Sequence, residues 1–327
     1  MTREAGEPAP QRALRAVEKD RLDFFAVGVL TLLCVFLGIG QVAMKVANAG
    51  ISPLLQGGLR SLLASGLVGL WCMFRGISLR IAPAMVAPIL LSAAFFTAEF
   101  AFLYPGLDRT TASRAVIFLY TSPLVVALGA HFLIPGDRLT WSKSAGLLAA
   151  LAGVSIVLAG RETSGTSSLT GDLLCLAGGI AWGFLTLSVR ATRLATEKPE
   201  RVIFMQLLIS GVLLSLISLA YGERGITDLS PLVLGAFCYT VVFVAFITFT
   251  TSLWLMTRYP ASRVMAFLMI TPAFGVAAGI VLLGEPLTIH LGAGLAVVIL
   301  GLWLVNRPTG SPLSPRAGRR RNQNSEP

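Results

Sequence analysis

Ten long apolar runs constrain this chain more than any other feature. They cover residues 24–46, 53–74, 85–107, 113–133, 144–159, 172–189, 202–220, 231–256, 263–283 and 291–305. A bilayer-spanning helix needs about 20 mostly apolar residues, so eight runs suffice as they stand. The fifth and tenth are short and are expected to extend into the polar turns before them. A single water-soluble core in a chain of 327 residues cannot bury ten such runs. Composition agrees: 55% of residues are hydrophobic and 13% charged, against about 25% charged in soluble domains. Backbone polar groups inside lipid must be paired within each segment, which predicts an all-α polytopic membrane protein of ten helices.

The surplus of cations then reads as topology. Of 26 Lys and Arg, 19 lie in the two tails and the even-to-odd loops. The opposite loops hold Arg109, Arg161 and Arg224, while Lys45, Arg60, Arg114 and Arg263 lie in or at the ends of spans. Short loops rich in Lys and Arg stay in the cytoplasm, which predicts cytoplasmic termini. The cations form no continuous basic face, so nucleic acid is not an expected partner. The first run is too long for a secretory signal core and is expected to stay as an anchor. The segment from 307, with its prolines and Arg319-Arg320-Arg321, is expected to be disordered.

The chain also repeats itself. Ala112-Ser113-Arg114, Phe118-Leu119, Pro123 and Leu133 recur 149 residues later as Ala261-Ser262-Arg263, Phe267-Leu268, Pro272 and Leu282. At a shift of 148, Gly136, Leu139-Thr140, Ala145-Gly146-Leu147 and Gly153 meet Gly284, Leu287-Thr288, Ala293-Gly294-Leu295 and Gly301. A fainter match at 145 pairs Lys45 with Arg190 and Ser65-Gly66 with Ser210-Gly211. Five spans per half is an odd number, so the second half enters from the opposite face. Such inverted-topology repeats recur in secondary transporters. The expected organisation is an N-terminal tail (1–23), a first five-helix repeat (24–160), a linker (161–170), a second repeat (171–306) and a basic tail (307–327).

On these residues the sequence resembles the EamA type of the drug/metabolite transporter superfamily. The likeness covers about residues 24–306. It rests on Lys45 ending the first span, Arg60 early in the second, and Ala-Ser-Arg before the fourth and ninth. Pro123, Pro272 and Gly-Glu-Pro-Leu-Thr at 284–288 complete it. Two positions depart from the family pattern: Gly136-Asp137 replaces Gly-Glu, and Leu37-Gly38 replaces Trp-Gly, which the sixth span keeps as Trp182-Gly183. The resemblance implies export or exchange of small metabolites, with a central site lined by spans 1, 3, 4, 6, 8 and 9.

Among 16 acidic residues, Glu99 is set deep in a span, about 12 Å from its outer end by helical rise. Arg60 lies about 10 Å deep from the same side, so the two are expected to pair. A buried ion pair fixing spans 2 and 3 and a carboxylate coupling protons or substrate are both open readings. Lys45 and Arg190 either snorkel or act as paired gates for anionic groups. Pro123 and Pro272 are expected to kink spans 4 and 9, with Thr121, Ser122 or Thr271 meeting the freed carbonyls. Gly146, Gly153 and Gly160, with Gly294 and Gly301, are expected to pack spans 5 and 10 closely. Gln41 is expected to face the interior. Tyr104, Tyr120, Trp182, Tyr239 and Trp254 are candidates for an aromatic lining or for packing.

His131, His290 and the four cysteines have no ligand spacing, so neither a metal nor another cofactor is called for. No phosphate-binding Gly-Lys-Ser/Thr loop occurs, which leaves an ion gradient or solute exchange to drive transport. The expected activity is secondary export of small organic metabolites (amino acids, amines or drug-like solutes) by alternating access, with proton coupling as an option. The expected setting is a bacterial cytoplasmic membrane, with the lipid bilayer and a small-molecule substrate as partners. A non-transporting sensor or assembly factor is the alternative, and a membrane-embedded enzyme has little material to work with. The oligomeric state stays open, a homodimer included.

Overall fold

In the computed structural model, which describes residues 22–134, 139–160 and 168–306, ten helices are long and apolar enough to cross a membrane. They are α1 (Phe24–Asn48), α2 (Pro53–Phe74), α3 (Pro83–Arg109), α4 (Ala112–Leu133) and α5 (Trp141–Ala159). The series continues with α6 (Leu169–Arg190), α7 (Pro199–Ala220), α8 (Pro231–Met256), α9 (Arg263–Leu283) and α10 (Ile289–Asn306). Each boundary falls within three residues of the apolar run that predicts it, and α5 and α10 do extend into the preceding polar turns. The tails, most of the predicted linker and Gly136-Asp137 lie outside the described residues.

Local signals start the helices. Asp23, Thr111, Thr140 and Ser168 accept bonds from backbone N–H groups of the first turns of α1, α4, α5 and α6. Pro53, Pro83, Pro199 and Pro231 open α2, α3, α7 and α8, where the missing N–H costs nothing.

Two ends of the bundle follow from the loop contacts. Tyr259, in the turn between α8 and α9, donates to Asp23 at the start of α1 (3.0 Å), which marks the near end. At the far end, where α1 finishes, Gly50 O accepts from Thr227 and Asp228 N (2.8 and 3.1 Å) before α8. There too, Ser168 N before α6 donates to Arg109 O at the end of α3 (2.8 Å).

Packing pairs α5 with α10, α2 with α7, α3 with α6, and α1 with both α8 and α9. Helix α4 also packs on α6, α3 on α7 and α2 on α8. Exchanging each helix for the one five places away maps these pairs onto one another. The α5–α10 contact is built on the expected glycines. A Cβ on Gly146 would stand 2.7 Å from Gly301 O, and one on Gly153 2.8 Å from Gly294 O. Without those side chains the backbones close together, the usual device in lipid. Gly160, just past the end of α5, also abuts α10, at His290.

The expected kinks are full breaks. Helix α4 divides into Ala112–Leu119 and Ser122–Leu133, and α9 resumes at Thr271 after Leu268. Each proline sits in the first turn of the resumed half, where it lacks the N–H that would continue the ladder. Thr271 Oγ1 donates to Leu268 O (2.7 Å), the carbonyl that Pro272 leaves free. In α4 Thr121 Oγ1 donates to Phe118 O (2.8 Å), which also accepts from Thr121 N, one residue before the Leu119 carbonyl that Pro123 leaves free. Gly183 packs against Ser122 and Val125 at the α4 break, and Gly38 against Phe274 and Gly275 at the α9 break. These matched glycines let α6 and α1 approach the restarting turns.

Candidate functional site

A cavity of about 360 Å³ runs through the centre of the bundle. Its wall takes residues from α1, α3, α4, α6, α8 and α9, the helices that the resemblance names. It also takes Arg60 from α2 and Ile203, Gln206 and Leu207 from α7, which the resemblance does not name. Towards the near end the wall continues to Ser252 and Met256 of α8 and Met265 of α9, and Met265 is 42% exposed. Towards the far end the buried residues Met44 and Leu103 line it. Beyond them Ala47, Tyr104 and Leu107 are fully buried and close the bundle.

Among the described residues, five buried polar side chains line the cavity: Gln41 from α1, Arg60 from α2, Glu99 from α3, Gln206 from α7 and Thr248 from α8. Arg60 Nε donates to Thr240 O over a long 3.4 Å, and its guanidinium lies 4.8 Å from the centre of the Phe100 ring. Arg60 Nη1 and Gln41 Oε1 have no hydrogen-bond partner among the described residues. A buried polar atom without a partner is costly, so both are poised for a solute or water. Tyr120 and Trp182 stand edge to face across the wall, centroids 5.5 Å apart.

The expected Arg60–Glu99 ion pair is not formed among the described residues, although both groups face one cavity. Helical rise fixes depth but not azimuth, and the guanidinium turns towards Phe100 and Thr240. The other candidates divide. Gln41, Tyr120 and Trp182 line the cavity with Arg60 and Glu99, whereas Lys45, Tyr239 and Thr271 do not. Lys45 Nζ donates to Leu107 O and Thr110 O (2.8 and 2.6 Å), which fastens α1 to the end of α3. Tyr239 bonds Phe36 O and stacks on Phe243. Thr271, Pro123 and Pro272 belong to the helix breaks.

Sequence reasoning missed several wall residues. Gln206, buried in α7, carries the same signal as Gln41, a polar amide within a span, and was open to the same reading. The wide helical turns at Thr240–Ile247 have no such signal. There α8 adopts a π-helical path that brings Val244 and Ala245 to the wall and Thr240 O to Arg60.

Comparison with known proteins decides the family. The model of the "EamA-like transporter family" matches residues 24–159 and again 169–307. The chain belongs to the EamA-like transporter family. This EamA-like protein is similar to "Uncharacterized transporter YvbV" of Bacillus subtilis, 26% identical over 283 residues, covering 85% of this chain and 90% of the relative. It is 25% identical over 292 residues to a Salmonella typhimurium protein named "Probable amino-acid metabolite efflux pump", covering 85% and 93%. A solved crystal structure superposes with a TM-score of 0.62 at 19% identity, over 86% of this chain and 96% of that one, which shows a shared fold. This EamA-like chain is therefore an integral membrane protein, and its family points to a transporter rather than an enzyme.

Proposed function

We propose that this EamA-like transporter is a secondary exporter of small organic metabolites, working by alternating access between two five-helix halves of opposite orientation. The observation that carries the reading is the central cavity, walled by Arg60, Glu99 and Gln41, whose lining runs from buried residues at the far end to the exposed Met265 at the near end. The positive-inside rule makes that near end cytoplasmic, so the cavity loads from the cell interior, as export requires. In a bacterial cell the membrane would be the cytoplasmic one.

The wall favours a small zwitterion. Arg60 Nη1 is placed to receive a carboxylate, Glu99 to receive an ammonium group, and Trp182 with Tyr120 to cover an apolar side chain. An amino-acid-like metabolite meets that description, in keeping with the printed name of the Salmonella relative. Glu99 serves as the coupling carboxylate: a proton neutralises it when the ammonium leaves, and the ammonium replaces the proton on loading. Flux in proteoliposomes, with and without a pH gradient, across a panel of amino acids, amines and drugs, tests this. Glu99→Gln is expected to bind an amino-acid-like solute more weakly and to lose stimulation of its remaining flux by the gradient. Unchanged stimulation in that variant would remove Glu99 from coupling, and absence of flux for the whole panel would remove the exporter reading.

A further inference from the structure

Three carboxylates of the second half reach across to the first half at the far end. Asp172 of α6 takes both Arg114 Nε (3.1 Å) and Nη2 (2.7 Å), plus Thr110 Oγ1 (2.6 Å), with both charged side chains buried. Glu285, in the turn after α9, accepts from the N–H groups of Ala112 and Ser113 (2.6 and 2.9 Å), the first residues of α4. Glu223, in the loop before α8, accepts from Leu54 and Leu55 N (3.2 and 3.1 Å) at the start of α2, and Ser218 Oγ orients it (2.7 Å). First-turn N–H groups have no partner within their own helix and carry the positive end of the helix dipole. A carboxylate from elsewhere in the chain is thus a strong and separable partner for them.

The near end is held differently. There Tyr259 bonds Asp23 and Arg201 Nε bonds Ser78 O (each 3.0 Å), and the cavity lining includes the exposed Met265. We propose that Asp172, Glu223 and Glu285 form a carboxylate clasp that holds the far end shut in this state. The clasp must release α2 and α4 before the cavity opens there. This rests on the alternating-access reading and adds which contacts set the balance between the two states. Releasing the clasp strips charged partners from two helix starts and from Arg114, so the state open at the near end is the resting one.

The test reads access rather than transport. Leu103 lines the cavity on the far side and is 1% exposed. Leu103→Cys is labelled with a membrane-impermeant maleimide applied to the far face, against a parent chain with only the native cysteines. In the Glu223→Gln/Glu285→Gln background labelling is expected to accelerate roughly tenfold or more, the scale of weakening charge-assisted bonds. An unchanged rate in that background, with unaltered thermal unfolding, overturns the clasp.

Should the double variant not fold, Ile51→Cys and Ile226→Cys supply the opposite arm. These residues form an antiparallel bridge at the far end, at a separation suited to a disulfide. With that disulfide closed, far-face labelling of Leu103→Cys is expected to stop and to return on reduction. Labelling that continues at the same rate overturns the clasp. If labelling responds as expected while no solute in the panel is carried, the clasp stands and the exporter reading falls.

Discussion

Arg114 and Arg60 are both buried arginines, and their surroundings differ in one respect. Arg114, at the far end, is closed by the paired oxygens of Asp172. Arg60, on the cavity wall, has an aromatic ring, one long bond to a carbonyl and an Nη1 without a partner among the described residues. Burial alone therefore does not separate a structural charge from a functional one; the state of its hydrogen bonds does. A paired charge resists change and fixes the fold, while an incompletely paired one stores affinity for something that arrives.

That contrast can be broken from either side. Asp172→Ala leaves a buried guanidinium uncompensated and is expected to cost about 3–5 kcal/mol of stability, visible as a large fall in unfolding temperature in detergent. Arg60→Ala is expected to leave the unfolding temperature close to that of the parent. Its transport efficiency should fall by roughly tenfold or more, equivalent to about 1.4 kcal/mol, measured as solute flux in proteoliposomes. Equal loss of stability in both variants would erase the distinction. Lys45→Met, which removes two bonds from the far end, should cost about 1–2 kcal/mol and leave substrate affinity intact. A large loss of affinity for an acidic solute would instead return Lys45 to the gate role that its sequence position invites.

Much of the molecule was legible before any coordinates. The ten spans follow from run length, because lipid forces each segment to satisfy its own backbone. The breaks near Pro123 and Pro272 follow from a missing N–H, and the α5–α10 contact from glycines spaced by seven. Of the polar candidates, those read by depth within a span (Gln41, Arg60 and Glu99) meet at one cavity. Lys45, read from its place at a span end, does not, because its Nζ reaches carbonyls of the adjacent α3 end. Tyr239 turns to Phe36 O on α1.

What sequence alone determined is one-dimensional: where each helix runs, where it breaks, and how deep a charge lies. Those follow from hydrophobicity, backbone chemistry and a rise of about 1.5 Å per residue. Azimuth and partnership came only with the tertiary structure. Glu99 and Arg60 share a depth without forming an ion pair, and Glu223 and Glu285 reach helix starts about 170 residues away in the chain. No local pattern encodes such contacts, since they depend on which helix faces are brought together and on which donors are left open there.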